Sequence, residues 1–450
     1  MTTTSRNGWL QRLRDRKGFT TATFGVTSIA FLGMAALGTD AGLWYLSLRN
    51  ARSAADAAAM AGAAAAAVHS STAVGSTAAF SVAGSNGFAN GTGGATVTVN
   101  IPPSSGAYTA NAGAVEVIIQ QVQTRFLSRV LVGTDPTVTV RAVAAPLNWG
   151  DACILALGGS GLQIGGNATV ASTGCILASN RPGSDSIRIF GSAAITAESL
   201  SALGECDGCG SATLTQPFVQ YATSPATNPF VNLNDNFPLA SVPPAASQIN
   251  PGSQNRSVTW SPSIPLGGLA AGSTLTAYRT DVQLNNNETL DLLPGVYIFY
   301  NASIRIQGGT LTCSTCSPGT AGVTLIFTGD PNSIGSFRMD GNGTVNLMAG
   351  PQANPEYSGI LMYRDARASG NGPMATIING SSTTQLSGGL YFPTTDVTYN
   401  GNMTAAMPCT ALVAQSIIMS GNSNTTVANS GCATYGLNNL TQTRVVRLVE

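Results

Sequence analysis

The chain is almost without lysine and histidine. Lys17 is its only lysine and His69 its only histidine, and charged residues make up 9% of 450 with a formal net charge of zero. Each scarcity excludes a class of function. With one imidazole, placed at residue 69, no Ser-His-Asp or Cys-His arrangement fits the body of the chain. With its one lysine at residue 17, a phosphate-cradling glycine loop would lack the lysine it needs. No basic patch follows the first seventeen residues, so nucleic acid has no electrostatic footprint to meet. Nothing in the pattern calls for a cofactor or a metal. A body poor in lysine and rich in Gly, Ser, Thr, Asn and Ala suits an exported, repetitive β protein.

What is present is organised around one stretch, residues 18–67. Residues 19–39 hold no charged side chain. As a helix they span about 31 Å, enough to cross a hydrocarbon core. Trp44 and Tyr45 follow where an aromatic belt would sit. Arg49, Arg52 and Asp56 then appear among alanines, so the helix is expected to continue into water as a stalk. Arg6, Arg12, Arg14, Arg16 and Lys17 stand on one side of the span, with Asp15 as the only acid. By the positive-inside rule the N-terminus is cytoplasmic and all that follows the span is outside. The alternatives to a retained anchor are a cleaved signal peptide and cleavage after Gly18.

This stretch resembles the N-terminal domain of the TadG-like proteins of Flp/Tad pilus assembly. The resemblance rests on Arg16-Lys17-Gly18, the apolar span, Gly38-Thr39-Asp40-Ala41-Gly42, Tyr45 and the run from Ala54 through Asp56 and Met60 to Ala63. It covers about the first seventy residues. It implies a membrane anchor whose helix packs against other pilus-assembly or pilin-like proteins. Gly38, Asp40, Gly42, Ala55, Asp56, Ala59 and Gly62 are the candidate packing positions, since small side chains let backbones approach. Asp40 reads either as an interfacial residue ending the span or as a charged contact to a partner. Asp56 reads as a solvated residue at helical spacing from Arg49 and Arg52. Pilin-like proteins of this system carry Glu five residues beyond the cut; Thr23 stands there, against cleavage after Gly18. The Asp-x-Ser-x-Ser metal motif of some TadG-like proteins is not matched, because Asp185-Ser186 is followed by Ile187.

All eight cysteines lie beyond the span, which points to disulfides in an oxidising compartment. Their spacing suggests local pairs: Cys153 with Cys175, Cys206 with Cys209, Cys313 with Cys316, and Cys409 with Cys432. The two C-x-x-C pairs leave open a Cys₄ zinc site.

Five segments are expected. They are a cytoplasmic basic segment (1–17), a transmembrane helix (18–47), an Ala-rich stalk (48–70), a pilin-like α+β module (71–147) and a β head (148–450). Within the module, residues 76–88 and 124–131 read as helices. Residues 96–101, 114–121 and 137–144 alternate as strands. In the head one phrase recurs: a short apolar alternation, a Gly/Asn corner, a second alternation. It appears at residues 161–170, 187–195, 304–311, 337–345 and 417–423. Such pieces cannot bury their inner face alone but can when stacked, so the expected fold is a parallel β-solenoid, with a β-sandwich as the alternative. Residues 216–265, rich in Pro, Asn and Ser, form an excursion or linker.

The resulting reading is a mainly β, single-pass inner-membrane protein with its bulk in the periplasm and extending toward the cell surface. It acts without catalysis in assembling, anchoring or presenting a Flp/Tad-type pilus, in contact with membrane lipid and pilus proteins. The alternative is a surface adhesin or glycan-binding solenoid, with Tyr278, Tyr297, Tyr300 and Tyr391 as a binding stripe. A carbohydrate-acting enzyme is the remote alternative. It would use Asp330, Arg338, Asp340, Arg364, Asp365 and Arg367.

Overall fold

The structure, a computed structural model, describes residues 16–69, 71–126, 129, 133–222, 224–236, 247–249, 257–271, 276–340, 343–379, 384–400, 404–438 and 440–450. It divides into two compact units, Met1–Leu147 with Val446–Glu450, and Asn148–Val445.

The first unit is built on a long helix, Arg16–His69. Its C-terminal half carries alanines at helical spacing. Ala51, Ala54, Ala55, Ala58, Ala59 and Ala63 are all buried. A second helix, Thr72–Ser85, starts where the Ser71 side chain accepts from Val74 N, and it lays Gly75, Ala79 and Ala83 against that stripe. The two helices approach as closely as their side chains allow. A Cβ on Gly75 would sit 2.8 Å from Gly62 O, and one on Gly62 would sit 3.1 Å from Gly75 O. β1 (Ala95–Asn100) and β2 (Val115–Val122) pair antiparallel, and β2 pairs antiparallel with residues 137–144 of β3 (Thr137–Ala156). Val97, Val115, Val117, Ile119, Val140, Ala142 and Ala144 join the alanine stripe in one core. The alternating runs are therefore the strands. β3 runs past the expected end at residue 144 because it changes ladder: residues 152–156 belong to the second unit. Pro146, which cannot donate to a ladder, falls in the gap between the two pairings. Half of the expected helix over 124–131 lies outside the described residues, and residues 124–126 are not helical.

Strand is the main regular structure of the second unit, and its pairing is parallel except where Ile264–Pro265 runs antiparallel to residues 295–296. Three ladders run side by side, each strand pairing with its counterpart about one rung later. The first takes Thr276–Tyr278, Gly295–Tyr300, Val323–Thr328, Ile360–Arg364, residues 389–391 and residues 410–414 in turn. The second takes Val282–Asn285, Ile304–Gln307, Phe337–Asp340, Thr376–Asn379, residues 396–400 and residues 416–419. The third opens with Ser257–Trp260, Thr289–Leu292, Thr310–Thr312 and Thr344–Met348. Sandwiches, by contrast, are built from antiparallel sheets.

Each recurring sequence phrase begins with a second-ladder strand. The strand that follows is in the third ladder for residues 304–311 and 337–345, and in a separate five-stranded sheet with Asn424–Ala428 for residues 161–170 and 187–195. The apolar positions of the phrase, such as Ile164, Ile189, Ile306, Met339 and Met419, share one buried core. The glycine corners also stack. A Cβ on Gly191 would lie 2.9 Å from Gly166 O, and one on Gly166 would lie 3.1 Å from Gly421 N; all three have positive φ. Only glycine takes that conformation without steric cost.

The ladders do not follow chain order. Beside residues 410–414 lie residues 154–156, then Ile176–Ser179 and Leu200–Ala202. Beside residues 417–419 lie Leu162–Ile164, then Ile187–Ile189 and Cys206–Asp207. Beside Asn424–Ala428 lie Thr169–Thr173, Ala194–Ala197 and Thr213–Leu214. The spatial order is thus 257 to 428 followed by 152 to 214. The excursion makes this order possible. Asn180 exchanges two 2.8 Å hydrogen bonds with the backbone of Ala226, Asn228 Nδ2 donates to the Tyr391 hydroxyl, and the Tyr363 hydroxyl donates to Leu233 O. The segment crosses the rungs on the outside of the first ladder, back toward where the stack begins.

Candidate functional site

The long helix has two different halves. Residues 20–38 are almost entirely uncovered. Phe24, Val26, Ile29, Phe31, Leu32 and Met34 are each at least 60% exposed, and the described residues hold one helix long and apolar enough to cross a membrane. Gly38 and Gly42 have open space around them. Asp40 is an isolated buried position that accepts from Phe126 N at 3.2 Å; residues 41–50 stay exposed or half-buried, and the covered part begins at Ala51. Ser47 Oγ donates to Gln121 Oε1 at 3.3 Å. Ala55, Ala59 and Gly62 are taken up by the chain's own second helix and by Val115. Asp56 makes no ion pair with Arg49 or Arg52 among the described residues. The seven candidate packing positions therefore fall into groups: among the described residues Gly38 and Gly42 face nothing, Asp56 has no ion pair, and Asp40, Ala55, Ala59 and Gly62 support the chain's own fold.

Residues 18–65 match the family model described as Tad, putative Flp pilus-assembly TadE/G-like. The N-terminal segment is a Tad-type domain. Comparison with curated proteins and with solved structures gives no match. The Tad-type match thus spans the exposed apolar half and most of the packed half of the same helix. It associates the chain with Flp/Tad pilus assembly, and the exposed half suits a membrane-anchored component of it.

The other sequence candidates are placed where structure explains them. Cys153–Cys175, Cys206–Cys209, Cys313–Cys316 and Cys409–Cys432 are disulfides. The C-x-x-C thiols are thereby consumed and hold no zinc. The tyrosines form no surface stripe. Tyr278, Tyr297 and Tyr391 are buried, since alternate residues of these strands point into the core. Tyr278 stacks on Trp260 with ring centres 4.5 Å apart, and the Tyr297 hydroxyl donates to Trp260 O and Leu293 O. Tyr300 lies under the Arg279 guanidinium.

The acidic and arginine candidates are not gathered into one site. Asp340 is shared by Arg305 and Arg338, whose hydrogen bonds hold its carboxyl below the usual range against burial. Asp365 pairs with Arg367 and accepts from Thr328. Asp330 and Asn301 exchange two hydrogen bonds of 2.8 Å. Arg364 is fully buried and donates to the carbonyls of Gly335, Gly370 and Ile334 and to Thr395. Burial pushes it down to about 10, with Asp365 acting the other way. Each of these groups already has partners among the described residues.

Sequence reasoning missed one network. The buried Glu116 carboxylate accepts from Asn100 Nδ2, Ser104 N, Ser104 Oγ and Arg141 Nε. Burial alone would raise its pKa, but these bonds hold it at about 2. Arg141 also donates to Glu450, which accepts from Ala107 N as well. Glu116 lies on the face of its strand opposite Val115 and Val117, where a carboxylate reads as a solvated residue, so no local signal announces the network.

Proposed function

We propose that this protein is a non-enzymatic, membrane-anchored component of Flp/Tad pilus assembly, oriented with its N-terminus in the cytoplasm and its bulk in the periplasm. The observation that carries the reading is the coincidence of the Tad-type match with a helix whose residues 20–38 are apolar and uncovered. Uncovered apolar residues over that length require lipid or other helices around them. The basic residues before the span support the orientation, and the four disulfides support an oxidising compartment for the remainder.

In this reading Gly38 and Gly42 form the face offered to a partner helix, and the alanine stripe further along joins the helix to its own α+β module. The second unit is read as a parallel β-solenoid, from its three parallel ladders and stacked glycine corners. It serves as the presented body, and nothing in it asks for catalysis.

Topology is tested by alkaline phosphatase fusions. A fusion after residue 147 is expected to be active and one at residue 15 inactive. The reverse pattern would overturn the orientation.

A further inference from the structure

We propose that the outer face of the second ladder binds a neutral polysaccharide in the groove lined by Gln283, Asn301, Ser303, Arg305, Asn332 and Met374. The groove encloses about 450 Å³, within the range of small-ligand sites. Val282, Gln283 and Arg305 of the second ladder line it, together with Asn332, Ser333, Pro373 and Met374. Gln283 and Arg305 are direct register partners, and so are Arg305 and Arg338. Planar polar side chains therefore stand in a row at the strand spacing of about 4.8 Å.

Their positions are fixed in advance. The Gln283 and Gln307 side-chain amides lie 2.7 Å apart, and Gln283 Nε2 donates to Asn285 Oδ1 at 3.0 Å. Arg305 and Arg338 both brace on Asp340. Asn301 is held by Asp330, and Asp281 accepts from Ser303 N. Groups ordered before binding lose little freedom on binding.

Charge then selects the ligand class. Arg305 and Arg338 are set against Asp281, Asp330 and Asp340, so the groove presents no excess of positive charge to attract a polyanion. Its apolar lining is limited to Val282, Pro373 and Met374, too little to hold an acyl chain. A polymer of hydroxyl groups, each able to donate and accept, matches a row of amides and guanidiniums. This site differs from the buried tyrosines, and it stands independently of the pilus-assembly reading.

The test is affinity electrophoresis of the intact, detergent-solubilised protein through gels containing dextran, laminarin, xylan or galactomannan, with polygalacturonate as the anionic comparator. At least one neutral glycan is expected to retard the wild type, and salt that screens exposed charges should leave the retardation in place. Arg305→Ala and Gln283→Ala should each weaken it about tenfold, the loss of one or two hydrogen bonds. Gln283 is exposed, so its variant is expected to melt like the wild type and serves if Arg305→Ala is destabilised. Failure of all four neutral glycans would overturn the proposal. So would preferential, salt-sensitive retardation by polygalacturonate, or wild-type binding by a folded Gln283→Ala variant.

Discussion

Asn167 donates its side-chain amide to Asn422 Oδ1 at 3.1 Å, across 255 residues of sequence. The backbones repeat the contact, with Asn167 N donating to Gly421 O at 2.9 Å. This joint is where the early rungs of the second unit lie against its last ones. Neither set completes its ladders alone, because an unpaired strand edge leaves a row of backbone groups without partners.

The corner glycines should be intolerant at this joint. Gly166→Val is expected to lower the melting temperature of the second unit by several degrees. The left-handed conformation alone costs a non-glycine residue about 1–2 kcal/mol, and the added Cβ lies 3.1 Å from Gly421 N. Gly210→Ala is the control, since its Cβ meets nothing within 4 Å and its φ is not positive. Thermal melting followed by circular dichroism distinguishes them. Equal melting of both variants would count against stacked corners.

Thiol labelling should find no free cysteine before reduction and eight after it, because all eight are in disulfides. The loops closed by Cys153–Cys175 and Cys409–Cys432, with separations of 22 and 23 residues, should each contribute about 3 kcal/mol. Cys153→Ser with Cys175→Ser should therefore lower the melting temperature, and adding reductant should bring the wild type down too. Labelling of the unreduced protein would contradict the assignment.

Glu116 makes the first unit acid-sensitive in a defined window. Its folded pKa of about 2 lies below the ordinary 4.5. Its stabilisation is therefore complete above about pH 4.5 and is lost as pH falls toward 2. At 1.36 kcal/mol per unit the contribution is on the order of 3 kcal/mol. Glu116→Gln should lower stability at neutral pH and flatten the dependence between pH 4.5 and 2. An unchanged slope would show that the carboxylate is not the group responsible.

Much of the fold is legible in sequence because it rests on local pattern. The uncharged run before Asp40 gives the exposed helix. The alternation at residues 96–101 and 137–144 gives strands, and the apolar–Gly–apolar phrase marks five of the second-ladder strands. What is not legible depends on distance along the chain. Nothing near Gly166 announces Gly421, and the uneven intervals between phrases hide a stack whose spatial order differs from chain order. The same holds for Arg141 and Glu450, which are 309 residues apart. The alanine run was ambiguous for another reason. Small residues permit close approach equally well within a chain and between chains, and in this protein Ala55, Ala59 and Gly62 are used within it.

The central claim is that the exposed half of the Tad-type helix recruits this protein to pilus assembly. Because the fold rests on Asp40 and on the buried positions from Ala51 onward, residues 20–38 can be exchanged for an unrelated apolar span of equal length, leaving the remainder intact. Copurification from membranes after crosslinking is the most direct measurement. The account predicts that Flp/Tad assembly proteins accompany the wild type and fall at least several-fold with the exchanged span, while membrane insertion and melting of the folded units stay the same. Recovery of those proteins in wild-type amounts with the exchanged span would contradict it.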